Sequence, residues 1–321
     1  MLLTGALGSG LLDLLSANRL TVRGPAGSDS IERFLADVLD APRTLITMPV
    51  GPARANRKPV LQVTDLSGNV LAFAKIGHDD LTRALVDSEG RTLRRLGDAA
   101  LRHIRVPRVI AHTQWRDLAV LVLEPLPVSA RQERPGPARA GLLTAIAEIS
   151  ALSSWRGSWA DNPFHVRLRA ALAVAGPHGT DLLGVLDAVG RPDPAVALGS
   201  WHGDLNPGNV AIRHDQVLVW DWERFEDGVP LGFDLLHHDL QRAITVEGIA
   251  PAAAAEQLLT GATGLLGVLG LDRQAAQAAA RLYLLTIAAR YLGDNQERAG
   301  ATLGRVADWI LPALRSAPAA D

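Results

Sequence analysis

Two short strings concentrate the polar chemistry of this 321-residue chain. The first is Trp201-His202-Gly203-Asp204-Leu205-Asn206-Pro207-Gly208-Asn209-Val210, and the second, after a β-prone hairpin, is Trp220-Asp221-Trp222-Glu223. A carboxylate inside a tight Gly- and Pro-containing loop is fixed in direction. An amide five residues later, at the loop's exit into a strand, can aim its carbonyl oxygen at the same space. Asp221 ends the returning strand nearby. Oxygen donors such as the Asn209 amide and the Asp221 carboxylate suit Mg²⁺, which keeps several waters and is normally completed by substrate phosphates. The pattern points to nucleotide chemistry.

The elements that must hold these residues change character near residue 125. Before it, β-rich runs at 44–49, 59–64, 70–75 and 118–123 are separated by turn formers such as Asp65-Leu-Ser-Gly-Asn69, which predicts a small antiparallel sheet. Residues 78–96 place Leu81, Leu85, Leu93 and Leu96 among charges, an amphipathic helix despite Gly90. Asp29-Ser30-Ile31-Glu32 starts a helix through Leu39 that is expected to cover the sheet. After about residue 137 the pattern is helical, over 139–155, 164–175, 180–189, 233–246, 251–269, 273–291 and 301–314, interrupted by one lone hairpin at 210–222. Glycines 261, 264, 267 and 270 read as close helix packing or a loosely helical segment. Gly5-Ala-Leu-Gly-Ser-Gly10 is no phosphate loop, because no strand precedes it and no Gly-Lys-Ser/Thr follows.

His-x-Asp-x-x-x-x-Asn followed by Asp-x-Glu resembles the aminoglycoside phosphotransferase and choline kinase family, relatives of protein kinases. The likeness extends in order and spacing over roughly residues 44 to 240. Lys75 resembles the phosphate-binding lysine and Glu89 its ion-pair partner, with Asp87 as the alternative. Leu121-Val-Leu-Glu124-Pro-Leu126 resembles the interlobe hinge, with Glu124 and Leu126 at the nucleotide. The resemblance implies an α+β, two-lobed protein-kinase-like fold: a helical extension at 1–40, a nucleotide-binding N-lobe at 41–125 with a small antiparallel sheet and one helix, and a mainly helical C-lobe at 126–321 with a catalytic hairpin. It further implies Asp204 as catalytic base, Asn209 and Asp221 as Mg²⁺ ligands, Lys75 on the α/β-phosphates of ATP or GTP, and His202 as loop support. Glu223 reaches the metal or acceptor or hydrogen-bonds the loop, and Asp234 anchors the loop from a helix start.

Three departures from the pattern shape the expectation. The stretch 50–57, where protein kinases carry a glycine-rich loop, has one Gly with Arg54 and Arg57 instead. Gly203 stands where protein kinases usually carry Arg. Only 12 residues separate Asp221 from Asp234, too few for a peptide-docking segment, which favours a small-molecule acceptor: an aminoglycoside-like compound, a sugar or an amino alcohol. Glu226, Asp227 and Asp239 extend the acidic run and offer attraction for a cationic acceptor. The competing readings are a pseudokinase and a metal hydrolase built on His202, Asp204, Asp221 and the His237-His238 pair. The three Trp residues at 201, 220 and 222 read as core rather than as a stacking platform.

Composition bounds the rest. Hydrophobic residues are 48% and charged ones 21% of the chain, which favours a globular protein. Thirty-two basic against 34 acidic residues leave no global positive field to gather a nucleic-acid backbone or an acidic membrane, and no obligatory protein partner is expected. Zero cysteines exclude thiolate chemistry. The basic residues are 30 Arg and only two Lys, Lys58 and Lys75, which sets Lys75 apart. The longest stretch free of Asp, Glu, Lys, Arg and His is 15 residues, 257–271, short of the roughly 18 of a spanning helix. No basic residue precedes the N-terminal apolar stretch, so a secretory signal is not expected and cytoplasmic residence is the default.

Overall fold

The computed structural model describes residues 29–49, 54–128, 135–157, 161–189, 196–213 and 216–316. They divide into two compact units, one of residues up to 51 with 58–98 and 107–131, the other of 52–57, 99–106 and everything from 132 onward. The Gly5 to Gly10 string and most of the expected N-terminal extension lie outside the described residues.

The first unit contains α1 (Ile31–Val38), β1 (Leu45–Thr47), β2 (Val60–Thr64), β3 (Val70–Gly77) and α2 (Asp80–Gly97); after β4 (Ile104–Arg105), which joins the second unit, it continues with β5 (Val109–Trp115) and β6 (Leu118–Leu123). The five strands form an antiparallel sheet in the order β1-β2-β3-β6-β5. Alternation along β3 sends Ala72, Ala74 and Ile76 to a core with Leu61, Val63, Val120, Val122 and Leu35 of α1. The opposite face, which includes Lys75, is covered by α2. Ser30 caps α1 and Asp79 caps α2, where Thr82 returns the bond in a capping box. The turn at Asp65 forms as its residues foretell: the carboxylate accepts the N–H of Ser67 and of Asn69 at 2.8 and 2.9 Å. Gly90 does not break α2; a side chain there would run into the His112 ring, about 2.5 Å from its Nδ1.

The second unit holds α3 (Pro135–Ser150), β7 (Trp155–Gly157), α4 (Pro163–Ala173), α5 (Gly179–Val189), β8 (Val196–Trp201), β9 (Val210–Arg213), β10 (Gln216–Val219), β11 (Glu226–Pro230), α6 (Phe233–Thr245), α7 (Pro251–Leu266), α8 (Arg273–Gly293) and α9 (Ile310–Ser316). The hairpin of β9 and β10 is not alone. The short β4 joins β10 in parallel, tied to α3 by the Glu148 carboxylate, which accepts the N–H of His103 at 2.9 Å and of Ile104 at 3.0 Å. A second three-stranded sheet, β11-β8-β7, also stands where only helices were expected. The helix expected over 139–155 stops at Ser150 because Trp155 pairs with Leu198 in that sheet. The helix expected over 301–314 is two 3₁₀ turns, Thr302–Gly304 and Val306–Asp308, ahead of α9.

Close packing does not account for the repeated glycines: Cβ atoms at Gly261, Gly264, Gly267 and Gly270 would meet open space, and Gly270 (φ +78°) ends the 3₁₀ turn that follows α7. Contrary to the expectation from charge spacing, α7 with that turn is long and apolar enough, by length and composition alone, to cross a membrane. Its Ala254, Ala255, Leu258, Leu259, Ala262 and Leu266 are buried, and it packs with α6 and α8.

Candidate active site

The loop between β8 and β9 is held from three sides. Asp234, in the first turn of α6, accepts the backbone N–H of His202 at 2.8 Å and of Gly203 at 3.3 Å. Arg290 of α8 donates to the Gly203 carbonyl at 2.6 Å and lies over the Trp201 ring, 4.8 Å from its centroid. Gly203 itself sits at φ +87°, where a side chain would strike the Arg224 carbonyl group. Trp201 and Trp222 are fully buried, in keeping with a core role.

His202 fixes the interior of the loop. Its Nδ1 accepts the Asp204 N–H at 3.2 Å, so the hydrogen is on Nε2, which donates to the Trp220 carbonyl at 3.1 Å. The ring packs on Trp222 with centroids 4.4 Å apart. Burial lowers its pKa to about 4, although the charges of Asp204 and Asp221 push the other way. Asp234 is shifted oppositely: burial raises it to about 7, against the pull of the two N–H donors and Arg290.

These shifts have a sign that urea titrations can read. Between about pH 4 and 6.5, His202 is neutral when folded and charged when unfolded, so its contribution to stability rises with pH and is lost as pH falls through about 4. Over about pH 4 to 7, Asp234 is protonated when folded and ionised when unfolded, so its contribution falls as pH rises. The two nearly cancel in the wild type. In His202→Asn only the Asp234 effect remains, and unfolding free energy should fall with pH, relative to the wild type, by about 1.4 kcal/mol per unit between pH 4.5 and 6. Parallel profiles would contradict this.

Asp204 lies between two donors. Asn209 Nδ2 reaches its Oδ2 at 3.1 Å and its carbonyl at 2.8 Å, and His237 Nε2 meets its Oδ1 at 3.0 Å. Burial and the charge of Asp221 raise its pKa, but the His237 hydrogen bond and charge outweigh them and hold it below the usual value. About a third of the side chain remains open to solvent. The hairpin register brings Asp221 close, because Trp220 donates to the Asn209 carbonyl at 3.1 Å and Asp221 follows. Asp221 has left-handed backbone (φ +71°, ψ +52°), a conformation costing about 1 kcal/mol outside glycine and best tolerated by Asp and Asn. Its carboxylate and that of buried Glu223 have oxygens within 4.8 Å of each other.

In the other unit, Lys75 Nζ is 2.6 Å from both carboxylate oxygens of Glu89, and both residues are buried. Asp87 points elsewhere, to His112 Nε2 at 2.7 Å. Glu124 pairs with Arg108 at 2.9 Å, its N–H donates to the Arg108 carbonyl, and the Leu126 carbonyl accepts from Val128 N. The structure therefore gathers His202, Asp204, Asn209, Asp221, Glu223 and Asp234 in one unit, and Lys75, Glu89, Glu124 and Leu126 in the other.

Several neighbours of the loop are ones the sequence pattern did not single out. His237 appeared only as half of a His-His pair, whereas both of its ring nitrogens are engaged by Asp204 and Tyr283. His238 turns away to the Leu205 carbonyl. Tyr283, Arg290 and the Arg224–Asp294 pair carry no local motif, since each acts across 46 residues or more. The acids considered for a cationic acceptor are engaged too: Glu226 by Arg167, Asp227 by Ser200 and Asp239 by Arg242. Of the segment 50–57, residues 50–53 lie outside the described residues. The remainder is fastened to α8's end, where Gln296 accepts from Ala55 N and donates to Asn56, both at 3.2 Å.

Solved structures share this architecture along most of its length. A candidate fructosamine-3-kinase from Haemophilus somnus 129PT matches with a TM-score of 0.51 and 16% identity, over 89% of this chain and 96% of that one. Spectinomycin phosphotransferase, in complex with ADP and spectinomycin, matches with a TM-score of 0.50 and 12% identity, over 92% and 99%. A mutant aminoglycoside 2'-phosphotransferase-IIIa in its GDP complex gives 0.52 and 11%, over 85% and 91%. The chain has the protein-kinase-like fold. No protein-family model and no curated protein matches the sequence. Within the protein-kinase-like fold, the β8–β9 loop and the Lys75–Glu89 pair are the polar features that the His-x-Asp-x-x-x-x-Asn resemblance had singled out.

Proposed function

We propose that this protein is a small-molecule kinase that transfers the γ-phosphoryl group of ATP or GTP to a hydroxyl of its acceptor. The observation that carries the reading is the Asn209 amide. Its nitrogen is committed to Asp204, which leaves its oxygen as the hard donor it can offer a cation, and the hairpin register carries Asp221 next to the Trp220–Asn209 backbone bond. Two of the solved proteins sharing the fold hold ADP and GDP, which supports nucleotide use.

The donor set fits Mg²⁺: an amide oxygen and carboxylates, with no sulfur in the chain's ligand repertoire beyond methionine. Asn209 and Asp221 would hold the ion, and the Glu223 carboxylate, within 4.8 Å of that of Asp221, would add negative charge to the site. Bound magnesium would offset the charge on the phosphoryl oxygens. Lys75, oriented by Glu89, would bind the α/β-phosphates, and the backbone at Glu124 and Leu126 would meet the base. Asp204 would accept the proton of the acceptor hydroxyl as its oxygen bonds to the γ-phosphorus and the bond to the nucleoside diphosphate breaks. His202 and Asp234 hold the loop during that exchange and take no proton.

Thermal-shift titration and an acceptor screen test the reading together. Mg²⁺ with nucleotide should raise Tm, and a panel of hydroxyl compounds should include one that drives nucleotide consumption. Stabilisation by a transition metal alone would favour a hydrolase, and binding without consumption across the panel a pseudokinase. Asp221→Asn separates the metal from the backbone, because Asn tolerates the left-handed conformation while lacking the charge. The Mg²⁺-nucleotide shift should be lost; a shift of wild-type size would remove Asp221 from the metal site.

A further inference from the structure

His237 is 2% exposed, and both its ring nitrogens are spoken for. Nδ1 meets the Tyr283 hydroxyl at 2.9 Å and Nε2 meets Asp204 Oδ1 at 3.0 Å. An ionised carboxylate only accepts, so the hydrogen lies on Nε2. The phenol, whose own ionisation is suppressed by burial, then donates to Nδ1 of the neutral ring or accepts from the charged one. In either state the same N–H faces Asp204, so the arrangement does not depend on titration. The ring is seated edge-to-face against Trp201 and Tyr283, at interplanar angles of 87° and 78°.

The place of His237 on α6 explains what this contact adds. Asp234 and His237 are three residues apart and share a helix face. Asp234 grips the loop's backbone at His202 and Gly203, while His237 grips the side chain of the residue after them. Asp204 Oδ2 is already held by Asn209, a residue that would also serve the metal. His237 provides the second point of attachment, which stops rotation of the carboxylate about its Cβ–Cγ bond. A base must stand within hydrogen-bond reach of the proton it takes, in one orientation.

We propose that His237, seated by Tyr283, is a positioning residue that fixes the Asp204 carboxylate for the acceptor hydroxyl. This rests on the kinase reading and adds a component to it. The test compares His237→Phe, which keeps the ring packing and loses the donor, with His237→Gln, which keeps an N–H, and with Tyr283→Phe. Turnover is followed as Mg²⁺-ATP consumption with the acceptor found by the screen, or with water where none is found.

His237→Phe should lower kcat by about 10- to 100-fold, the size usual when the partner orienting a functional side chain is lost, with the KM for ATP within about twofold. His237→Gln should recover part of that loss, and Tyr283→Phe should fall between wild type and His237→Phe. In an Asp204→Asn background His237→Phe should have no further effect, because the group it positions is gone. Equal losses in both backgrounds, or wild-type kcat in His237→Phe, would overturn the proposal. Turnover retained by Asp204→Asn itself would instead overturn the kinase reading. A measurement free of activity stands beside these: in ¹⁵N-histidine-labelled protein, the ring N–H resonance that vanishes in His237→Gln should move in Asp204→Asn, and an unmoved resonance would refute the contact.

Discussion

Asp204→Ala should abolish phosphoryl transfer, lowering turnover by about 10²- to 10⁴-fold while nucleotide binding persists. Phosphoryl transfer asks little covalent chemistry of a protein; it needs placed cations and an aligned, deprotonated acceptor. Asp204 is the carboxylate at the loop's centre that combines a lowered pKa with partial solvent access, so it is ionised and reachable. The alanine variant also strips partners from His237 and Asn209, at a cost of about 1–3 kcal/mol in stability. Asp204→Asn is the companion that keeps the shape. ADP release with the acceptor from the screen reads the first effect, and the Mg²⁺-nucleotide shift in Tm reads the second. Near wild-type turnover in both variants would end the proposed mechanism.

Gly203→Ala carries the largest structural penalty expected. At φ +87° a non-glycine residue is strained by about 1–2 kcal/mol before any contact is counted. The added Cβ would also overlap the Arg224 carbonyl oxygen and lie 2.6 Å from its carbon, and neither is the free end of a flexible chain. Relief requires the loop to lift off the 3₁₀ turn at Trp222–Arg224, which pulls on the Asp234 and Arg290 bonds at once. A loss of about 3 kcal/mol is expected, with a Tm lower by about 4–5 °C. Turnover should drop out of proportion to the fraction folded, since Asp204 is the next residue. Calorimetry beside activity at a temperature where the variant is folded tests this, and an unchanged Tm would contradict the close approach.

The first unit was largely legible because its signals are local. The apolar runs of β3 and β6, the Asp65 turn and the capping of α1 and α2 all arise within a few residues of the pattern that announces them. The edge strand β5 was missed since its His112, Thr113 and Gln114 form a polar run with neither the alternation of a half-buried strand nor the continuous apolar run of a fully buried one. In the second unit, β7, β8 and β11 are strands only by virtue of β8 pairing with both of the others across 25 to 43 residues of chain, and Gly-Ser and Glu-Asp-Gly stretches have no intrinsic β preference. The loop residues could be picked out because the resemblance fixes their spacing. His237 could not, as a histidine on a helix acquires its meaning from a carboxylate 33 residues earlier.

The end of α8 gathers distant stretches of chain: Arg290 reaches Gly203 across 87 residues, Asp294 pairs with Arg224, and Gln296 holds Ala55 from 241 residues away. During translation, residues 202–209 therefore leave the ribosome long before the side chains that brace them exist. A nascent chain halted before residue 290 would carry every element of the motif and still lack its clamp. Acquisition of function should be a late event in biosynthesis, set by the emergence of one helix rather than by the loop's own synthesis.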